Sequence, residues 1–128
     1  MIKSMRHIGL VVQDMERSLD FWCNLLGFCI AKELKESGPH IDAMLGLDKA
    51  QLTTVKLAAP DGNLIELLQF HSHPGMPAWT GKPDSTGFTH VAMTVDSLDD
   101  MCKKLSEKGF FCISKPQFSP DGYAKVVF

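Results

Sequence analysis

The sequence lacks several features that assign proteins to large functional classes. No basic block occurs in its 128 residues, and 13 Lys and Arg against 15 Asp and Glu give a net charge of −2. We therefore expect no nucleic acid and no membrane surface as a partner. No apolar run approaches the roughly 18–20 residues that a membrane span needs. The N-terminus has no hydrophobic signal region, which predicts a cytoplasmic location.

Cysteine pairs at metal-binding spacing are also missing. None of the four cysteines forms a C-x-x-C pair with another, and they stand at Cys23, Cys29, Cys102 and Cys112. In a cytoplasmic protein this spacing predicts reduced and mostly buried thiols. A disulfide or a thiolate metal site is the less favoured alternative.

What the chain does contain is the pattern of a soluble α+β domain, with 45% apolar and 22% charged residues. Residues 1–70 predict a module of the order β-α-β-β-β. Its helix lies between a capping Asp14 and Gly27, and a short helical turn at 41–47 precedes the third strand. The helix carries an apolar face of Met15, Leu19, Trp22 and Leu26. The strands are expected at 5–12, 28–35, 52–59 and 63–70.

The same order then begins again. Residues 71–87 are rich in Pro, Gly, Ser and Thr and predict a linker. Residues 88–128 predict a second module, with a helix between Ser97 and Gly109 and strands at 88–95, 110–114 and 123–128. The separation from His7 to Phe28 is 21 residues, as is that from His90 to Phe111. This spacing indicates an internal repeat.

The second copy is shorter than the first. His7 to Glu66 spans 59 residues, whereas only 38 separate His90 from Phe128. Residues 124–128 align best with residues 55–59. We therefore expect the second module to lack its last strand, the equivalent of the one that carries Glu66.

Three residues are candidates to bind one metal ion: His7, Glu66 and His90. The two histidines occupy equivalent positions of the repeat. A carboxylate among Leu64, Ile65, Leu67 and Leu68 would lose several kcal/mol of solvation if it were buried without a partner. The alternative is an edge position that faces water. Imidazole and carboxylate ligands suit Zn²⁺, Ni²⁺, Fe²⁺, Mn²⁺ or Co²⁺ as the cofactor. His71 and His73 are a weaker second pair, because Pro74 and Gly75 favour a loop there.

These residues give the chain a family resemblance. The repeat, the pair His7 and Gly9, the run 61–67 and the run 90–92 resemble the vicinal oxygen chelate superfamily, which includes glyoxalase I. The resemblance implies paired βαβββ modules that form a cupped half-barrel around a divalent metal. It implies His7, Glu66 and His90 as metal ligands, and it places the fourth, usually a glutamate, past Phe128. The resemblance therefore implies either that the chain is shortened at its C-terminus or that its site has three protein ligands.

The resemblance also implies the chemistry. We expect a metal-dependent lyase or isomerase of the glyoxalase I type, which stabilises an enediolate or enolate of a small substrate such as a thiol hemithioacetal, with Glu66 as the catalytic base. The third predicted strand holds no acid, which disfavours a methylmalonyl-CoA epimerase-like enzyme. An extradiol dioxygenase-like enzyme and a non-catalytic, bleomycin-resistance-like binding protein stay open. An exposed sheet edge predicts a homodimer.

Overall fold

Four strands of the N-terminal part form one mixed sheet. The computed structural model describes residues 2–73, 87 and 90–128. The strand order is β1-β4-β3-β2, with β1 parallel to β4 and the other pairs antiparallel. The strands are β1 Ile8–Val11, β2 Cys29–Ser37, β3 Gln51–Ala58 and β4 Leu64–Phe70. The first strand of the module therefore pairs with its last, as a closed βαβββ unit requires.

One helix covers one face of this sheet. Helix α1, Met15–Leu19, begins at Asp14, whose side chain accepts a hydrogen bond from the Arg17 N–H at 2.9 Å. It continues as a π-helical segment, Asp20–Leu25, which the helical spacing does not predict. The predicted apolar face packs against the main core cluster of Phe28, Val55, Leu57, Ile65 and Leu67. The helix and its apolar face, which is partly buried, are thus confirmed.

A second, smaller apolar cluster lies on the opposite face of the sheet. Helix α2, Pro39–Leu45, buries Ile41 there against Ala50 and Leu52, and Leu68 and Phe70 pack beside them. The Asp42 side chain accepts hydrogen bonds from the backbone N–H groups of Lys49 and Ala50, at 3.1 and 2.8 Å. These bonds fix the loop from α2 into β3. This short helix confirms the predicted helical turn.

The turn between β3 and β4 contains Pro60, Asp61 and Gly62 and falls between the strands predicted at 52–59 and 63–70. The Asp61 carboxylate accepts hydrogen bonds from the backbone and side-chain N–H groups of Asn63, and these bonds lower the pKa of Asp61. Gly62 has φ 85°, which a side chain would disfavour. The turn fixes the register that places Lys56 opposite Glu66.

The C-terminal part contains less regular structure than the repeat predicts. The chain divides into two compact units, Met1–Ala78 and Trp79–Phe128. Helix α3, Leu98–Glu107, begins as predicted at Ser97, whose hydroxyl accepts from the Asp100 N–H at 3.2 Å. A two-stranded antiparallel sheet follows, formed by β5 Gln117–Phe118 and β6 Lys125–Val126.

The strands predicted for the second module are corrected accordingly. Residues 90–95 and 110–114 are not strands, and of 123–128 only Lys125–Val126 is one. Residues 88 and 89, and most of the predicted linker at 71–87, lie outside the described residues. Ile113 and Phe128 share a backbone hydrogen bond of 2.7 Å, but no ladder forms there. Apolar alternation favours an extended chain, whereas a strand also needs a neighbour to pair with.

The cysteines are free thiols, as predicted, but they are less buried than predicted. Cys29 is exposed, and Cys23, Cys102 and Cys112 are partly buried. Burial nevertheless raises the pKa of the Cys23 thiol. Within the described residues, no helix is both long and apolar enough to cross a membrane.

Leu67 should be essential to the stability of the first unit. Its side chain is fully buried in the main cluster, so Leu67→Ala leaves a cavity and should lower the free energy of unfolding by about 2–5 kcal/mol. Urea denaturation followed by circular dichroism measures this loss. The control is Met44→Ala on helix α2, a side chain that is 67% exposed and should change stability by about 0.5 kcal/mol or less. Equal losses in both variants would contradict the assigned core.

Candidate metal centre

The predicted ligands His7 and Glu66 meet on the face of the sheet that helix α1 leaves uncovered. Glu66 lies in the middle of β4, and alternation along the strand points it away from the core residues Ile65 and Leu67. His7 precedes the first residue of β1 rather than lying inside the strand. Its Nε2 atom is 3.1 Å from Oε2 of Glu66.

Gly9 lies beside this pair. In the sheet register Gly9 lies directly opposite Glu66 on β1, two residues after His7. An added Cβ at Gly9 would lie 3.4 Å from Leu68 Cδ1, which is ordinary van der Waals contact.

Lys56 is the third member of this polar group, and the sequence analysis overlooked it. Lys56 lies opposite Glu66 on β3, with Nζ 3.4 Å from Oε1 of the carboxylate. Glu66 is thus held between an imidazole and an ammonium, and its side chain is only 17% exposed. The sequence offered a signal for Lys56, because cross-strand pairing places the residue opposite a buried acid on the same face of the sheet.

The imidazole of His7 has one nitrogen without a partner. Its Nδ1 atom is buried and makes no hydrogen bond with any residue that the structure describes. An unpaired buried polar group costs about 1–3 kcal/mol.

The geometry of the pair fits a shared cation. A metal bound at about 2.1 Å from both atoms, with ligand angles of about 90–110°, separates the two ligands by about 3.0–3.4 Å. The observed 3.1 Å between Nε2 and Oε2 falls within this range. One imidazole nitrogen and one carboxylate oxygen also suit the divalent ions expected from the sequence. The described residues contain no group of three or more His, Cys, Asp or Glu side chains placed to hold a metal.

His90 lies in the second unit. Its ring packs edge-to-face with Phe128, with the ring centroids 5.1 Å apart. It stands in the segment 90–95, which is not a strand. Its role as the third ligand therefore stays a prediction from the repeat and the family resemblance.

The other histidine pair makes hydrogen bonds to hydroxyl groups. Nε2 of His71 lies 2.8 Å from the Thr53 hydroxyl, and Nδ1 of His73 lies 2.7 Å from the Ser72 hydroxyl. On the same face as Glu66, the Thr54 hydroxyl donates to Glu36 at 2.9 Å. Glu36 is thus a second partly buried acid, which offers a matched comparison for Glu66.

Comparison with known proteins places this site in context. The family model described as Glyoxalase/Bleomycin resistance protein/Dioxygenase superfamily matches residues 4–128. The uncharacterized protein YwkD of Bacillus subtilis strain 168 is 31% identical over 111 residues, which are 85% of this chain and 74% of that protein. A probable lactoylglutathione lyase of Synechocystis is 29% identical over 125 residues, covering 95% of this chain and 82% of that protein.

Solved structures show the same fold. A glyoxalase family protein from Bacillus cereus superposes with a TM-score of 0.85 at 21% identity, over 93% of this chain and 81% of that one. The trypanothione-dependent glyoxalase I of Leishmania major gives a TM-score of 0.66 at 16% identity, over 98% and 78%. With the family match over nearly the whole sequence, the expected fold is confirmed: this chain belongs to the Glyoxalase/Bleomycin resistance protein/Dioxygenase superfamily, the vicinal oxygen chelate group of the sequence analysis.

Proposed function

We propose that the protein is a divalent-metal-dependent enzyme of the glyoxalase I type, which moves a proton on the carbon beside a carbonyl group of a small oxygenated substrate. The observation that carries this proposal is the pairing of His7 with Glu66 at 3.1 Å, a separation that suits two ligands of one ion. The similarity to a probable lactoylglutathione lyase supports the same class of reaction.

His7 and Glu66 would hold the metal, with His90 of the second module as the third ligand. A bound divalent cation supplies Lewis acidity toward two neighbouring oxygens of the substrate, which makes the adjacent C–H group more acidic. Glu66 is the base that accepts this proton at a carboxylate oxygen. Leu64 and Leu68 flank Glu66 on the same face and limit the access of water to the transferred proton.

The protein should bind a metal through His7. After loading with Co²⁺, Ni²⁺ or Zn²⁺ and desalting, wild-type protein should retain about one ion per chain. Loss of a ligand should weaken binding by more than the 10–100-fold that loss of a supporting residue costs. We therefore expect His7→Ala and His90→Ala to retain little metal when measured by mass spectrometry of the metal.

The matched control is His40→Ala, because His40 is an exposed histidine on helix α2. It should retain as much metal as the wild type. Full retention by His7→Ala would contradict the proposed centre. If His7→Ala loses its metal and His90→Ala does not, His7 and Glu66 remain as ligands and His90 is not part of the site.

Glu66→Gln should slow the reaction more than it disturbs the fold. The amide keeps an oxygen that can bind a metal, but it cannot accept a proton, so turnover should fall by about 100-fold or more. The assay follows deuterium exchange from solvent into the hemithioacetal of methylglyoxal and a thiol, by proton magnetic resonance, with metal content measured on the same sample.

Glu36→Gln is the control for this experiment, since Glu36 lies on the same face and is also a hydrogen-bonded acid. Its turnover should stay within about threefold of the wild type, because it does not contact His7. Wild-type exchange rates in metal-loaded Glu66→Gln would show that another group takes the proton. A metal-loaded wild type that binds ligands without any exchange would favour a binding protein.

A further inference from the structure

The ammonium group of Lys56 has no role in the proton transfer proposed above. Its Nζ lies 3.4 Å from Oε1 of Glu66, so a cation bound to that acid would lie close to a second positive charge. The Lys56 side chain is only 28% exposed and lies directly opposite Glu66 in the sheet register. The pairing of β3 with β4 therefore fixes the position of Lys56 beside Glu66.

The charges around this lysine do not balance once Glu66 binds a metal. Among the residues that the structure describes, Glu66 is the carboxylate paired with Lys56. Glu36 on the same face accepts a hydrogen bond from Thr54 instead. A divalent cation and an ammonium group would then share one carboxylate. Like charges at this separation repel each other strongly in a partly buried site, so a further negative charge is needed.

We propose that Lys56 is a specificity-determining residue that binds a negatively charged oxygen of the ligand beside the metal. This inference rests on the proposed metal centre and names the ligand class. The oxygen belongs to a carboxylate group of the ligand, as in an α-hydroxy or α-keto acid.

The structure offers a matched control on the neighbouring strand. Lys32 lies opposite Lys56 in the register between β2 and β3, so both side chains project from the same face. Lys32 is exposed and is not paired with Glu66 within the described residues. Replacing Lys32 removes the same charge from this face as replacing Lys56 does, but it leaves the proposed anion contact intact.

The experiment compares an anionic probe with a neutral one on Co²⁺-loaded protein. Lactate and hydroxyacetone both present two neighbouring oxygens, but only lactate carries a charge. Their binding is followed through the visible absorption of the bound Co²⁺. We expect the wild type to bind lactate about tenfold more tightly than hydroxyacetone, within the range usual for coupled binding. The affinity of the protein for Co²⁺ should rise in the presence of lactate by the factor by which bound Co²⁺ raises the affinity for lactate.

Lys56→Met should remove this preference, whereas Lys32→Met and the charge-retaining Lys56→Arg should keep most of it. Circular dichroism checks that each variant is folded, and if Lys56→Met is not, Lys56→Gln takes its place. A preference for lactate that survives in the Lys56→Met protein would overturn the inference while leaving the metal centre in place. A wild type that takes up no Co²⁺ would overturn the metal centre and this inference with it.

Discussion

The site depends on how the protein compensates a carboxylate placed within an apolar strand. Glu66 is largely buried, and such a charge is tolerated only if other groups replace the water that it loses. His7 and Lys56 provide this from the two neighbouring strands, one on each side of β4. The order β1-β4-β3 is therefore a requirement of the site as well as of the fold. Any change in strand register would leave the carboxylate without both partners.

The two faces of the sheet have different roles, since one carries the main core and the other carries the candidate site. Helix α1 covers the face that carries Val55, Leu57 and Leu67, where the main cluster lies. Helix α2 and its small cluster around Ile41 lie on the other face. The polar group of His7, Lys56 and Glu66 occupies this second face. The residues of the candidate site are therefore separate from those of the main core.

The sequence was most informative where local patterns and burial agree. Helical spacing located helix α1 and its apolar face, and Asp14 and Ser97 marked the beginnings of helices α1 and α3 through side-chain caps. The family resemblance implied His7 and Glu66 as partners at one site, and their side chains lie 3.1 Å apart. Lys56 was not predicted, although cross-strand pairing offers a signal for it. The strands of the second unit could not be predicted, because alternation does not show whether a partner strand exists.

The parallel pairing of β1 with β4 has a consequence for the order of folding. Ile8 pairs with Ile65, so β1 has no place in the four-stranded sheet until β4, the last strand of the module, has been made. Helix α1 and the antiparallel strands β2, β3 and β4 contain closer contacts along the chain and can assemble earlier. The imidazole of His7 thus joins Glu66 in a late step of chain closure. Until then the N-terminal strand is an unpaired segment of the nascent chain.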